Sequence, residues 1–427
     1  MKTYIFVIRR ITYISGAIQY VYNKANYLES QGWRVLIFSA LHGPLYVNYF
    51  MKFRNCIYPH LYLTPNCFRK CVVENVVNQI VNQVGGFHEE YTIIESDALQ
   101  RSVWAELIAS QLKCRHLAFF VRESHDYFDE HALKYLRFKY SRHELAGIVA
   151  ESICKILHDN TIEKRDDTQF VAYCNNVIED CDDNYSSLLN RNAVLSLGYL
   201  GRLEKSCVPA IVEGMCEYIS LHSDKLFNVV MIGGSADKKR VKYIKEKFGN
   251  YPNVHLLLTG NMYPIPLSFV KKIDLFISSA GSVVATYNVG IPTIRVNPLN
   301  GNVIGVVGLD YLPGEKGLYD SIPDGRIKDS IEKAIAKKEQ ISFVNNTRFY
   351  YQKMYEEFER QLGIANNNSS NCHFEKQELL KIKTANKYRL FFWLIGHVFG
   401  SKGIQLFWDI CKTSKNNIGN ISVVNIV

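Results

Sequence analysis

Three stretches near the start decide the fold: Tyr4-Ile5-Phe6-Val7-Ile8, Ile14-Ser15-Gly16-Ala17 and Val35-Leu36-Ile37-Phe38. The first is β-branched and aromatic and reads as a strand. The second is a turn. Beyond it Tyr20, Tyr22, Lys24, Ala25, Tyr27 and Leu28 mix apolar and polar positions at helical spacing, and Gly32 stops the helix. The third is a second strand. A strand, turn, helix and strand in this order need a crossover that returns the chain to the same end, so the two strands are parallel.

Outward from there the alternation repeats. Tyr91-Thr92-Ile93-Ile94 predicts a strand, 102–112 a helix, His116-Leu117-Ala118-Phe119-Phe120 a strand and 132–150 a helix. The last helix carries Lys134, Arg137, Lys139 and Arg142 beside Phe138 and Tyr140, a basic face that is either solvated or rests on anionic lipid. A second series starts near 193. Its strands are Ala193-Val194-Leu195-Ser196-Leu197, Phe227-Asn228-Val229-Val230-Met231-Ile232, Val254-His255-Leu256-Leu257-Leu258, Leu275-Phe276-Ile277-Ser278-Ser279 and Pro292-Thr293-Ile294-Arg295-Val296. Each ends close to glycine or a small residue. The expected architecture is α/β, with two doubly wound Rossmann-like domains and a cleft between them: 1–185, 186–365, and a linker with a basic aromatic segment over 366–427.

Composition fits that class. With 427 residues, 47% hydrophobic and 21% charged, the chain is neither disordered nor collagen-like. The longest apolar run, 390–398, is about half the ~20 residues a spanning helix needs. The N-terminal apolar stretch stops at Arg9-Arg10 rather than at a small-residue cleavage site, so a cytoplasmic location is expected. Eleven scattered cysteines suit reduced thiols, and Cys67 and Cys71, the closest pair, lack a zinc-site spacing. From Asn371 onward eight Lys/Arg face three acids, interleaved with Phe391, Phe392, Trp393, Phe399, Phe407 and Trp408. That pattern leaves open peripheral contact with the inner face of the cell membrane. No RRM, KH or helix-turn-helix signature points to nucleic acid.

Three glycine turns carry the chemistry. In Gly201-Arg202-Leu203-Glu204-Lys205 a close-approach glycine stands beside two cations; if a helix starts there, Arg202 and Lys205 share one side and could clamp a diphosphate. Gly233-Gly234-Ser235 and Ala280-Gly281-Ser282 each follow a strand, where backbone N–H groups can face an anion at a helix start.

In this order the pieces resemble a GT-B glycosyltransferase, closest to the bacterial family 4 group. The stretch from Tyr13 to Ala25, followed by Leu28-Glu29-Ser30-Gln31-Gly32-Trp33-Arg34-Val35, looks like the family's opening glycine turn and first helix. This makes Ser15, Gly16 and Gln19 the acceptor-side candidates. Gly198-Tyr199-Leu200-Gly201-Arg202-Leu203-Glu204-Lys205 is similar to its GRL-x-K segment, which implies phosphate contacts by Arg202 and Lys205. The stretch around Thr259-Gly260-Asn261-Met262-Tyr263-Pro264 is similar to the one bordering the nucleotide base, which adds Gly260 and Tyr263, and Asn288-Val289-Gly290-Ile291-Pro292 resembles the G-x-P turn. One departure stands out. Where the family commonly carries two glutamates ahead of that turn, the second binding ribose, this chain has Ile277 and Ala285; Ser282, Thr286 or Asn288 could replace the ribose contact. Retaining or inverting stereochemistry stays open.

The resemblance implies a nucleotide-diphosphate sugar as co-substrate, a lipid-linked or saccharide acceptor, and a role in bacterial surface polysaccharide synthesis. No cofactor is expected. Nor is a metal: no DxD motif flanked by apolar strands occurs, and Asp166-Asp167 and Asp182-Asp183 read as solvated loops. A base for the acceptor hydroxyl is sought in Arg122-Glu123-Ser124-His125-Asp126, at the carboxyl end of a strand, with Glu123, His125 and Asp126 as candidates and Glu95-Ser96-Asp97 as a weaker one. Two rival readings remain, a nucleotide-sugar epimerase of the same fold and a non-catalytic partner subunit.

Overall fold

A computed structural model of the chain describes residues 2–11, 15–41, 45, 47–86, 91–120, 129–174, 178–235, 237–317, 319–322, 325–343, 347–366, 372–383, 393–400, 402–403 and 406. They fall into two compact units. Met1–Cys174 joins Tyr350–Cys411 in the first, and Asn175–Phe349 joins Lys412–Val427 in the second.

The first unit runs β1 (Thr3–Arg10), α1 (Gly16–Ser30), β2 (Arg34–Leu41), α2 (Lys70–Val84), β3 (Thr92–Ser96), α3 (Leu99–Leu112), β4 (Arg115–Phe120), α4 (Glu130–Ser141), β5 (Leu145–Gly147) and α5 (Ser152–Leu157). Its sheet has the order β2-β1-β3-β4-β5, and every pair is parallel. Alternation along β1 shows why both faces are covered. Ile5 and Val7 pack with Val73, Ile80, Trp104 and Ile108 of α2 and α3, while Tyr4, Phe6 and Ile8 pack with Tyr20 and Leu28 of α1.

The helix expected over 132–150 is shorter. α4 ends at Ser141, His143 takes a left-handed φ of 60°, and the chain turns back to add β5 beside β4. Lys139, one of the four cations read as a surface face, is buried. Its Nζ lies 2.5 Å from Glu144 and 3.1 Å from Glu106, and Arg142 pairs with Glu144 at 2.9 Å. Glu106 also accepts from His116 Nδ1 (2.7 Å) and from the Phe374 amide (3.0 Å). A second buried hub joins Lys24 Nζ to Glu95 (2.5 Å) and Gln361 (2.7 Å), with the Tyr20 hydroxyl on both.

The second unit contains β6 (Ile178–Glu179), β7 (Leu195–Leu200), α6 (Val208–Ser220), β8 (Phe227–Ile232), α7 (Lys238–Gly249), β9 (Val254–Gly260), β10 (Ile265–Pro266), α8 (Leu267–Val270), β11 (Leu275–Ser278), α9 (Gly281–Asn288), β12 (Thr293–Val296), β13 (Val303–Val306) and α10 (Ile327–Ala336). The large sheet is ordered β13-β12-β11-β7-β8-β9 and is parallel except for the edge strand β13. β6 and β10 pair in a small separate ribbon.

The chain then returns to the first unit through α11 (Thr347–Asn366) and α12 (Lys376–Leu379). Met354, Phe358, Leu362 and Ala365 of α11 form a helical stripe buried against the β1–α1 side, and Leu379 and Ile382 join the opposite side. The division therefore lies at Cys174/Asn175 rather than 185/186, and residues 350–365 belong with the first unit rather than the second.

Candidate functional site

In an open parallel sheet, ligands sit beyond the carboxyl ends of the strands where the strand order reverses. In the second unit that point lies between β7 and β11. Four turns sit along this edge. Gly201 N donates to Ile232 O (2.9 Å), Leu203 N to Gly234 O (3.1 Å) and Gly234 N to Asn261 Oδ1 (3.1 Å), which joins the turns after β7, β8 and β9. A Cβ on Gly233 (φ +145°) would lie 2.0 Å from Gly201 O, so only glycine allows this approach. The turn after β11 is tied in by Leu200 N to Ser278 Oγ (3.1 Å) and by Lys205 Nζ to Ser279 Oγ (3.2 Å). Gly201, Lys205, Gly233, Gly234, Gly260, Gly281 and Ser282, scattered over some eighty positions, are thus carried by neighbouring strand ends.

The two cations do not lie on one helix, because α6 opens only at Val208. Lys205 reaches across to the β11 end. Arg202, half-exposed, pairs with Glu204 at 3.2 Å. The starts of α7 and α9 also differ. α7 is capped by Asp237, whose side chain accepts from Lys239 N, and the Ser235 hydroxyl accepts from Asp237 N (3.0 Å). That start already holds a carboxylate, and the Gly233 backbone lies close against Gly201. α9 has no capping side chain and no acid in its first turn, so its positive end is unneutralised beside Lys205 and Ser279.

Ala280, which leads into α9, has φ 56° and ψ −138°. For a residue with a Cβ this costs about 1–3 kcal/mol, and it sits where strain sets the aim of the α9 start. Ala280→Gly is therefore expected to raise stability by about 1 kcal/mol, read as a higher urea midpoint at unchanged slope. A lower midpoint would show that Ala280 is not strained.

Thr286 is corrected as a ribose contact. It is fully buried, its hydroxyl donating to Ser282 O or Val283 O and facing Thr293 Oγ1 at 2.9 Å. Ile277 lies within β11 and Ala285 on the packed side of α9, both in the core, so neither position could present a carboxylate here. Tyr263 is half-buried against the core beside β10. Asp183 lies in a loop and is partly buried, with hydrogen-bond partners of its own. Burial would raise its carboxyl, but hydrogen bonds from Ser186, Tyr185 and Ser268 hold it at about 2.

In the first unit, Ser15 caps α1 with its carbonyl, which accepts from Ile18 N and Gln19 N at 3.0 Å each, and Gln19 is buried. A Cβ on Gly16 would stand 3.2 Å from Cys174 Sγ, so this glycine permits packing against the chain itself. Glu95 is consumed by Lys24, Tyr4 and Tyr20, and Asp97 by the Arg9 amide (3.0 Å) and Arg101 Nε (2.8 Å). Glu123, His125 and Asp126 lie outside the described residues. Among the described residues no group of three or more His, Cys, Asp or Glu side chains is placed to hold a metal, and no helix is long and apolar enough to cross a membrane. Sequence reasoning missed Ser278, Ser279 and Asn261. The available signal was a serine pair closing an apolar run and an asparagine directly after a strand-ending glycine.

No protein-family model matches the chain, and no curated protein sequence matches it. Solved structures do. A glycosyltransferase from Rickettsia africae is 14% identical, covering 89% of this chain and 95% of its own, with a TM-score of 0.55. HepE of Anabaena, solved with UDP and glucose, is 12% identical over 85% of this chain and 99% of its own, TM-score 0.53. A variant of TarM from S. aureus, solved with fondaparinux, α-GlcNAc-glycerol and UDP, is 9% identical over 87% of this chain and 100% of its own, TM-score 0.53. The fold shared with these structures is the two-Rossmann GT-B arrangement.

Proposed function

We propose that the protein is a glycosyltransferase that moves a sugar from a nucleotide-diphosphate donor to a lipid-linked or saccharide acceptor in bacterial surface polysaccharide synthesis. One observation carries the reading: four turns meet at the strand-order reversal of the second unit, with Lys205 and the uncapped start of α9 beside each other. Such an edge suits a diphosphate, and two of the structures that share the fold hold UDP. In the reaction the acceptor hydroxyl attacks the anomeric carbon as the bond to the diphosphate oxygen breaks. The charge left on the diphosphate is met by Lys205, Arg202 and the first-turn amides of α9. The acceptor is bound by the first unit, with Ser15, Gly16 and Gln19 as its candidate contacts and Glu123, His125 or Asp126 as the group that takes the hydroxyl proton. The basic C-terminal segment rests on the inner face of the membrane.

The test is incubation of the purified protein with UDP-, GDP- and dTDP-sugars, with free nucleoside diphosphate as the readout. Release from one donor class is expected. A second reading, a non-catalytic partner subunit, is favoured by the core positions of Ile277 and Ala285. Absence of both turnover and calorimetric binding for every nucleotide would decide for it.

A further inference from the structure

After α12 the chain forms a helical segment over 393–400 that lies on the first unit. Ile395 packs against the core cluster containing Cys67 and Phe68. Gly396 permits the contact, since a Cβ there would stand 2.3 Å from Cys67 O. The rest of the segment is turned the other way. Trp393 (43% exposed), Leu394 (47%), Val398 (61%) and Phe399 (66%) are open to solvent, and Leu406 follows at 62%. Four large apolar side chains open to solvent on one short helix mark a surface that meets a partner.

Charge decides which partner. Arg69 and Lys70 follow directly on Phe68, and Lys402 follows Phe399; all three are exposed. Among the described residues from 393 on there is no acid. A second copy of this chain, itself at net +9, would bring the same cations against them. An anionic bilayer instead receives the apolar side chains in its headgroup–acyl boundary and the cations at its phosphates. We propose that this segment is an insertion face for anionic phospholipid, anchored to the first unit by Ile395 and Gly396. The inference rests on the membrane contact in the reading above, and it names the surface and the lipid class that make it.

The test is co-sedimentation of the full chain with phosphatidylcholine vesicles, with and without phosphatidylglycerol, and with the V398S/F399S variant. Both side chains are mainly exposed, so the variant should fold, as circular dichroism would check. Binding is expected to the phosphatidylglycerol vesicles alone, to fall about tenfold or more in V398S/F399S, and to weaken in R69E/K70E. Equal binding by V398S/F399S, no binding to anionic vesicles, or a dimer on gel filtration that this variant abolishes would each overturn it. Calorimetry with UDP on the same samples keeps the donor reading separate, because nucleotide binding needs no vesicle.

Discussion

Lys205→Ala is expected to lower turnover of the accepted nucleotide sugar by about 10²–10³-fold, the scale found when one donor to a developing oxyanion is removed. Lys205 reaches the β11 end at the strand-order reversal, where its charge adds to the uncapped α9 start. Arg202→Ala should cost less, because its guanidinium is 49% exposed and already shares Glu204. Lys205→Arg should not restore activity, since a planar fork cannot occupy the space of an ammonium held by Ser279. The measurements are kcat/KM for donor turnover and the UDP dissociation constant, with unfolding midpoints as the control. If Lys205→Ala stayed within about threefold of the parent on both readouts, the diphosphate assignment would fail.

The largest stability effect is expected in the first unit. Glu106→Ala removes the acceptor that faces Lys139, His116 and the Phe374 amide, and leaves the buried ammonium with Glu144, itself shared with Arg142, as its remaining carboxylate. Breaking a buried pair in this way costs about 3–5 kcal/mol, measured by urea unfolding. Glu106→Gln combined with Lys139→Met should recover part of the loss; a double variant as unstable as Glu106→Ala would exclude the buried charge as the cause. The hub also sets a pH dependence. Burial alone would raise the Glu106 carboxyl, but Lys139 and the His116 hydrogen bond overcome it and hold it well below the usual range. Its stabilisation is present above the ordinary carboxylate pKa and is lost as pH falls through the depressed value. His116 is pushed down to about 4 by burial and then by Lys139. An unfolded histidine takes up its proton near pH 6.5, so stability falls as the pH drops from about 6.5 to about 4. His116→Gln should flatten that slope in part, His60 (also about 4, from burial) supplying the remainder.

Much of the fold was legible because its signals are local. The alternation Tyr4/Phe6 against Ile5/Val7 and the glycines that follow β7 and β8 and end β9 report periodicity and turn chemistry directly. The failures share a cause in partners distant in sequence. Lys139 looks like a surface cation until Glu106, thirty-three positions earlier, is folded against it. Asp183 looks unpartnered until Ser268, eighty-five positions later, donates to it. Thr286 looks like a neutral stand-in for a carboxylate, yet helix rotation turns it toward Thr293. At the candidate site, glycines were readable because backbone approach demands them. Ser279 and Asn261 were not, since short polar residues at strand ends are common and only their cross-turn bonds distinguish these two.

The route of α11 bears on how the chain is made. The β1–α1 side of the first unit lacks Met354, Phe358 and Leu362 until synthesis has passed Phe349, and its other side waits for Leu379 and Ile382. On the ribosome, residues up to Cys174 are expected to emerge with part of their apolar interior unfilled, while the continuous stretch Asn175–Phe349 is expected to close first. Completion runs backwards along the polypeptide, and a nascent chain arrested before residue 350 should hold a protease-resistant middle and a cleavable beginning.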